Sequence, residues 1–291
     1  MSIGYHISGN IQNLMNEALR IKMLGGNIIQ LFVDATNPLV KLYKSLGIWL
    51  KKKHIKCVVH ASYSINLAQS KNEYDFQIKL LISEIKLANK LKAFAIVVHM
   101  GKQLDLEKYE AENNMYSSLL YVHQQTMKYK DIKILLETSA GQGTEMFYDM
   151  IDLSYFFRKF SENSNLDVIE RFGICIDTCH IFASGIDIRK KEQINEFFGN
   201  FVNYFGMNFL KLVHLNDSLD DLKSRIDRHA DIGEGKIGKE GLMYFAKFVL
   251  ILGVPIVLET PTLDPRLITN ILTNVKINEK VIFPKIITTL K

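Results

Sequence analysis

Eight short apolar runs recur along the chain, and the segments between them carry helical periodicity. The runs are Ile3–Ile7, Ile28–Val33, Lys56–His60, Phe94–His99, Ile132–Glu137, Phe172–Asp177, Phe209–His214 and Pro255–Glu259. Their length and composition read as buried strands. Between them, Ile78, Leu81, Ile82 and Ile85 follow the i, i+3, i+4, i+7 rule, and Ser70-Lys71-Asn72-Glu73 ahead of them reads as a capping box. Ile11, Leu14, Ala18 and Ile21 mark an earlier helix that stops at Gly25-Gly26, and Met146–Phe160 and Leu242–Leu252 mark later ones. Eight strand–helix units in 291 residues predict the α/β class, as a (β/α)8 TIM barrel forming a single domain over residues 1–291. An open doubly wound sheet would normally carry a phosphate-binding glycine cluster after its first strand, and "YHISGNIQN" has none.

The residues that close these runs narrow the reading further. Six end on a side chain able to bind a metal: His60, His99, Glu137, Asp177, His214 and Glu259, at intervals of 39, 38, 40, 37 and 45 residues. In a barrel all strand C-termini open on one face, so residues this far apart in sequence converge. Singly, a strand-end histidine is usually a hydrogen-bonded polar group and a strand-end acid a helix cap. Together they would bury several carboxylates, at prohibitive cost without cations. "FGICIDTCHIFASGID" (172–187) adds His180 three residues after Asp177, expected on the loop above that strand. Asp227-Arg228-His229 places two more ligands at i, i+2 on one side of an extended segment. Five imidazoles and four carboxylates suit zinc, manganese or iron, and nine ligands exceed the needs of one tetrahedral ion. A cluster of two or three ions is expected. Cys179, between two ligands, reads as buried packing.

The composition, 47% hydrophobic and 23% charged, is that of an ordinary soluble globular protein. A net charge of +5 is compatible with a polyanionic partner without requiring one. Cys57, Cys175 and Cys179 make no disulfide framework and read as free thiols in a reducing compartment. "MSIGYHISG" does not resemble a signal peptide, and the longest apolar stretch, Phe248 to Leu258, falls short of the roughly 20 residues that cross a bilayer. The expectation is an intracellular protein, in cytoplasm or nucleus (virion-associated if viral), neither secreted nor membrane-bound. No protein partner is implied, and a monomer is the default.

From end to end the chain resembles the endonuclease IV family of apurinic/apyrimidinic endonucleases. The resemblance is carried by "IGYHISG" (3–9), "VVHASYSINLA" (58–68), "VVHMG" (97–101), "LLETSAGQGTE" (135–145), "GICIDTCHIFASGID" (173–187), "VHLNDS" (213–218), "DRHADIGEGKIG" (227–238) and "IVLETP" (256–261). It implies a (β/α)8 barrel with three zinc ions, with manganese an option at one site. It further implies His60, His99 and Glu137 on one ion, Glu137 shared with a second that is also held by Asp177, His214 and Glu259, and His180, Asp227 and His229 on the third.

The implied substrate is duplex DNA containing an abasic site. The implied reaction is hydrolysis of the phosphodiester on its 5′ side, leaving a 3′-hydroxyl and a 5′-deoxyribose phosphate, with 3′-end trimming an added option. Zinc lowers the pKa of bound water towards about 7. Glu137 would hold two ions in register, and Glu259 would orient the attacking water or act as its base. Tyr63 matches a family residue that inserts at the lesion, whereas "VDATNP" (33–38) lacks the basic residue the family often has there. Arg189, Lys190, Lys191, Lys223, Arg225, Arg228 and Lys236 fall on loops after strands, where DNA phosphates would lie, and the backbone amides around Gly141, Gly143, Gly233 and Gly235 are further candidates. Lys51-Lys52-Lys53 precedes the third strand and reads as a solvated run on the opposite face. The rivals are a metal-dependent sugar isomerase on a similar barrel and a non-catalytic lesion binder.

Overall fold

The apolar runs form parallel strands that close on themselves. The computed structural model describes residues 1–35, 40–69, 72 and 75–276. In chain order the strands are β1 (Ile3–His6), β2 (Ile28–Phe32), β3 (Lys56–His60), β4 (Ala95–His99), β5 (Lys133–Glu137), β6 (Phe172–Asp177), β7 (Leu210–His214), β8 (Asp217–Ser218), β9 (His229–Ala230) and β10 (Ile256–Leu258). The closed order is β1-β10-β7-β6-β5-β4-β3-β2, while β8 and β9 pair with each other, antiparallel, outside the barrel. Around the barrel lie α1 (Ile11–Met23), α2 (Val40–Lys52), α3 (Phe76–Leu91), α4 (Lys108–Gln125), α5 (Met150–Ser161), α6 (Leu166–Arg171), α7 (Thr178–Ser184), α8 (Lys191–Phe205), α9 (Lys239–Ile251) and α10 (Arg266–Lys276). The expected (β/α)8 TIM barrel is therefore the fold.

Successive side chains of a strand point to opposite faces, and this alternation sorts the core in two. Ile28, Val58, Ala95, Val97, Leu135, Cys175, Leu212 and Val257 form a small buried cluster of their own. This is the plug of the barrel. Their neighbours, among them Ile29, Val59, Ile96, Leu136, Ile174 and Ile256, join the larger core under the helices. Truncating one such residue to alanine typically costs about 2–5 kcal/mol. One alternation beyond the plug residues Ile28, Val58, Val97, Leu135, Cys175, Leu212 and Val257 lie Gln30, His60, His99, Glu137, Asp177, His214 and Glu259. The same pleat that fills the barrel thus aims these polar side chains at its mouth.

Two details depart from the expectations. Met146–Phe160 is helical only from Met150, because Asp149 caps the helix by accepting from the Ile151 and Asp152 amides at 2.8 and 3.2 Å. His180 is not on a loop: it lies in the first turn of α7, where Asp177 Oδ1 accepts from the His180 amide at 2.9 Å and caps the helix. Gly185, at φ 120°, then ends that helix. Of the capping box, Ser70, Lys71 and Glu73 lie outside the described residues, as do positions 36–38 of the 33–38 loop; α3 itself starts at Phe76 with Asp75 at its N-cap.

Candidate metal centre

Strand register brings the six strand-end residues together. His99 stands beside Glu137 across β4–β5. Across β6–β7 the pairing slips between Ile174 and Cys175, so Asp177 stands beside His214 and not beside Val213. Because the side-chain period is two, this one-residue shift changes which face of β7 meets Asp177.

Glu137 occupies the centre. Its Oε2 lies 3.3 Å from His60 Nε2 and 3.5 Å from His99 Nε2, and its Oε1 lies 2.7 Å from His214 Nδ1. His214 Nδ1 is also 3.2 Å from Glu259 Oε2 and 4.0 Å from Asp177 Oδ2. Alongside, Asp227 lies between two imidazoles, 3.2 Å from His180 Nε2 and 3.2 Å from His229 Nε2. Ligand atoms lie within 4.8 Å of one another in the groups His60–Glu137–His214, Glu137–Asp177–His214–Glu259, His180–Asp227–His229 and Asp177–Cys179–His229. His99 stands at the edge, its side chain 28% exposed, approaching only the shared Glu137 oxygen.

The donor set suits divalent cations. Glu137 Oε2, Asp227 Oδ1 and His229 Nε2 are buried and have no hydrogen-bond partner among the described residues. His229 Nε2 and Asp227 Oδ1 approach to 3.2 Å without hydrogen-bonding geometry, as two ligand atoms facing a common point would. Cys179 is buried with its Sγ 3.6 Å from the Arg228 carbonyl. Burial, and then the nearby Asp177, push its thiol pKa well up.

The acids and imidazoles of the group perturb one another strongly. Burial opposes ionisation of Glu137, but His214 and His99 outweigh it and hold the carboxyl well below its ordinary range. Burial wins at Asp177, raising its pKa against the pull of His180 and His229. For His180, burial disfavours the cation, yet Asp177 and Asp227 raise its pKa well above 6.5. His229, subject to the same opposition, is pushed up to about 9. His99 is lowered to about 4 by burial.

The fold alone leaves two chemistries open. Endonuclease IV from Thermus thermophilus superposes with a TM-score of 0.73 at 22% identity, over 94% of this chain and 97% of that one. A D-tagatose 3-epimerase-like protein superposes almost equally, with a TM-score of 0.72 at 20% identity over 94% and 98%. A family model described as a xylose isomerase-like TIM barrel matches residues 19–275. Sequence relatives are more specific. "Probable endonuclease 4" of Thermosipho africanus (strain TCF52B) is 36% identical over 273 residues, 89% of this chain and 92% of that protein. The chain belongs to the endonuclease IV family.

The expected DNA contacts fall on the face that carries the candidate ligands, with different surroundings. Tyr63 is 70% exposed, its ring 5.5 Å from that of His60 and 5.2 Å from that of His99. Phe32, which sequence reading passed over, lies 5.2 Å from Tyr63 and is also exposed. Arg228 is held by both carboxylate oxygens of Asp220, at 2.6 and 2.7 Å, and Arg189 by Asp187, at 2.6 and 2.9 Å. Lys236 lies 3.7 Å from Asp221, and Lys190 is exposed at the N-cap of α8. Arg225 stacks on Tyr148 at 4.2 Å. The amides of Gly233 and Gly235 are not free for phosphate: both donate to buried Asp217, at 3.0 and 3.2 Å. Lys51 and Lys52 close α2 at the barrel end opposite the ligands, exposed as expected.

Several supporting residues escaped the sequence reading. Asn216 donates to Asp177 Oδ2 at 2.7 Å and accepts from the Glu259 amide at 2.9 Å. The Thr138 carbonyl lies 2.7 Å from His180 Nδ1 and leaves Nε2 facing Asp227. His6 and Gln30, at or near the ends of β1 and β2, complete the ring. The strand-end rule passed over both, because the apolar runs that hold them close on Ile7 and Val33.

Proposed function

We propose that the protein is a zinc-dependent AP endonuclease that hydrolyses the phosphodiester 5′ to an abasic site in duplex DNA, leaving a 3′-hydroxyl and a 5′-deoxyribose phosphate. The observation that carries this reading is the His180–Asp227–His229 group beside the Glu137-centred one. A sugar isomerase needs two metals and has no use for a third set of ligands. Family membership supports the same conclusion.

His60, His99 and Glu137 would hold one ion, Glu137 with Asp177, His214 and Glu259 a second, and His180, Asp227 and His229 a third, with manganese an option at one position. Bound zinc supplies Lewis acidity and brings the pKa of coordinated water towards about 7. Glu137 would keep two ions in register. Glu259 presents Oε2 to the cluster and orients the attacking water or takes its proton. Tyr63 offers an exposed aromatic face beside the centre, against which an unstacked sugar can pack. Rotating out an abasic nucleotide costs less than rotating out an intact one, because no base is unstacked. Arg189, Lys190, Arg228 and Lys236 provide the phosphate contacts.

The test is incision of a duplex carrying one tetrahydrofuran abasic analogue, with elemental analysis of the same sample. Nicking on the 5′ side, lost on stripping zinc and restored by zinc, is the expected result. Binding without nicking would leave a lesion-binding protein, and conversion of a ketose with no effect on DNA would leave an isomerase.

A further inference from the structure

Of the ring at the barrel mouth, one member cannot usefully ligate a metal. Gln30 is fully buried, one alternation beyond the plug residue Ile28 on β2. Its Nε2 lies 2.5 Å from Glu259 Oε1 and 3.1 Å from His6 Nδ1, and its Oε1 lies 2.9 Å from His214 Nε2. A carboxamide has two N–H donors and an oxygen that only accepts. An ionised carboxylate also only accepts, so the amide nitrogen must face Glu259 and the oxygen must face His214. The His214 proton that meets this oxygen is therefore on Nε2. That leaves Nδ1 towards the carboxylates, 2.7 Å from Glu137 Oε1 and 3.2 Å from Glu259 Oε2. His6 Nδ1, beside the same amide nitrogen, is itself 3.3 Å from Glu259 Oε1.

We propose that Gln30 is a positioning residue for the metal centre. It fixes His214 as an Nδ1 ligand and engages Glu259 Oε1, leaving Oε2 as the single oxygen Glu259 offers the cluster. This rests on the metal reading of the preceding subsection. A neutral amide does both tasks at once. An acid in its place would repel Glu259, and an apolar side chain would leave the His214 proton without its acceptor and remove the amide donor from Glu259 Oε1. Partners of this kind fix a histidine's ring orientation and the nitrogen it presents.

The experiment uses the zinc-loaded protein labelled with 15N-histidine, read by long-range proton–nitrogen correlation. The His214 signals are assigned by comparison with His214→Gln. Wild type is expected to show His214 bound through Nδ1 with a slowly exchanging proton on Nε2. Gln30→Met, close in volume and unable to hydrogen-bond, is expected to lose that protected proton and to weaken the zinc that His214 binds by about 10–100-fold in chelator competition. Gln30→Glu should weaken it as well. Wild-type His214 bound through Nε2 overturns the proposal even if neither variant folds. A Gln30→Met protein with wild-type affinity and wild-type His214 signals also overturns it, leaving Gln30 as packing. A wild type that takes up no zinc at His214 overturns the metal reading itself, and is told apart because no variant is needed to see it.

Discussion

At the scale of single residues, Glu137 bears the most convergent geometry, with His60, His99 and His214 all within 3.5 Å of its two oxygens. Glu137→Gln keeps the shape and removes the charge. It should lower incision by more than roughly 100-fold and reduce zinc content below wild type, measured by steady-state incision and elemental analysis. Glu84 supports the site from behind: it is buried and accepts from the Ser62 amide at 3.2 Å, next to Tyr63. Burial raises its pKa from 4.5 to about 7. The folded protein therefore holds a proton that the unfolded chain releases between those values, so stability falls as pH rises through that window, by about 3 kcal/mol. Chemical denaturation of the metal-free protein at pH 5 and 8 should show this slope reduced in Glu84→Gln. The nine candidate ligands were legible one by one because each is a residue type with an obvious coordinating atom. Gln30 and Glu84 were not, because an amide on a strand and an acid on a helix have many ordinary uses until their partners are known.

At the scale of elements, the loop between β9 and α9 is organised by one buried acid. Asp217 accepts from the amides of Ser218, Gly233, Gly235, Ile237 and Gly238, at 2.9 to 3.3 Å. This arrangement converts "ADIGEGKIG" from a candidate phosphate cradle into an anchored turn, with Gly233 and Gly238 at positive φ. Asp217→Ala leaves several buried donors without an acceptor and should destabilise the fold by about 3 kcal/mol or more, read as a shift in the urea midpoint. Because β8 pairs with β9, the same change should loosen His229 and lower occupancy of the metal it helps to hold. The eight barrel strands were legible from their apolar runs, to within one residue at either end. The short α7 was not, since its cap, Asp177, is also a strand-end ligand and the segment reads as a loop.

At the scale of the whole molecule, the centre draws residues from six barrel strands, α7 and the β8–β9 segment onto one point, so metal and fold should be thermodynamically linked. Zinc at about 1,000 times its dissociation constant should stabilise the protein by about 4 kcal/mol over the stripped form, seen as a higher melting temperature. Binding should also release protons. His229 is pushed up to about 9, and His180 is likewise raised, while the ligating form of each imidazole is neutral. Apparent zinc affinity should therefore rise with pH up to about 9. Calorimetry in buffers of differing ionisation enthalpy should count more than one proton released at pH 7.

The sequence by itself pointed to the barrel, since eight strand–helix units with no phosphate-binding glycine cluster after the first strand favour a closed parallel sheet over an open one. It also determined the chemistry available, since side chains with nitrogen and oxygen donors end six of those strands. Tertiary structure alone decided which atoms meet. The slip between β6 and β7 sets Asp177 against His214, the amide of Gln30 selects a nitrogen of that ring, and Asp217 claims the glycine amides. Each depends on register or hydrogen-bond direction between segments far apart in the chain, and local periodicity carries no information about either.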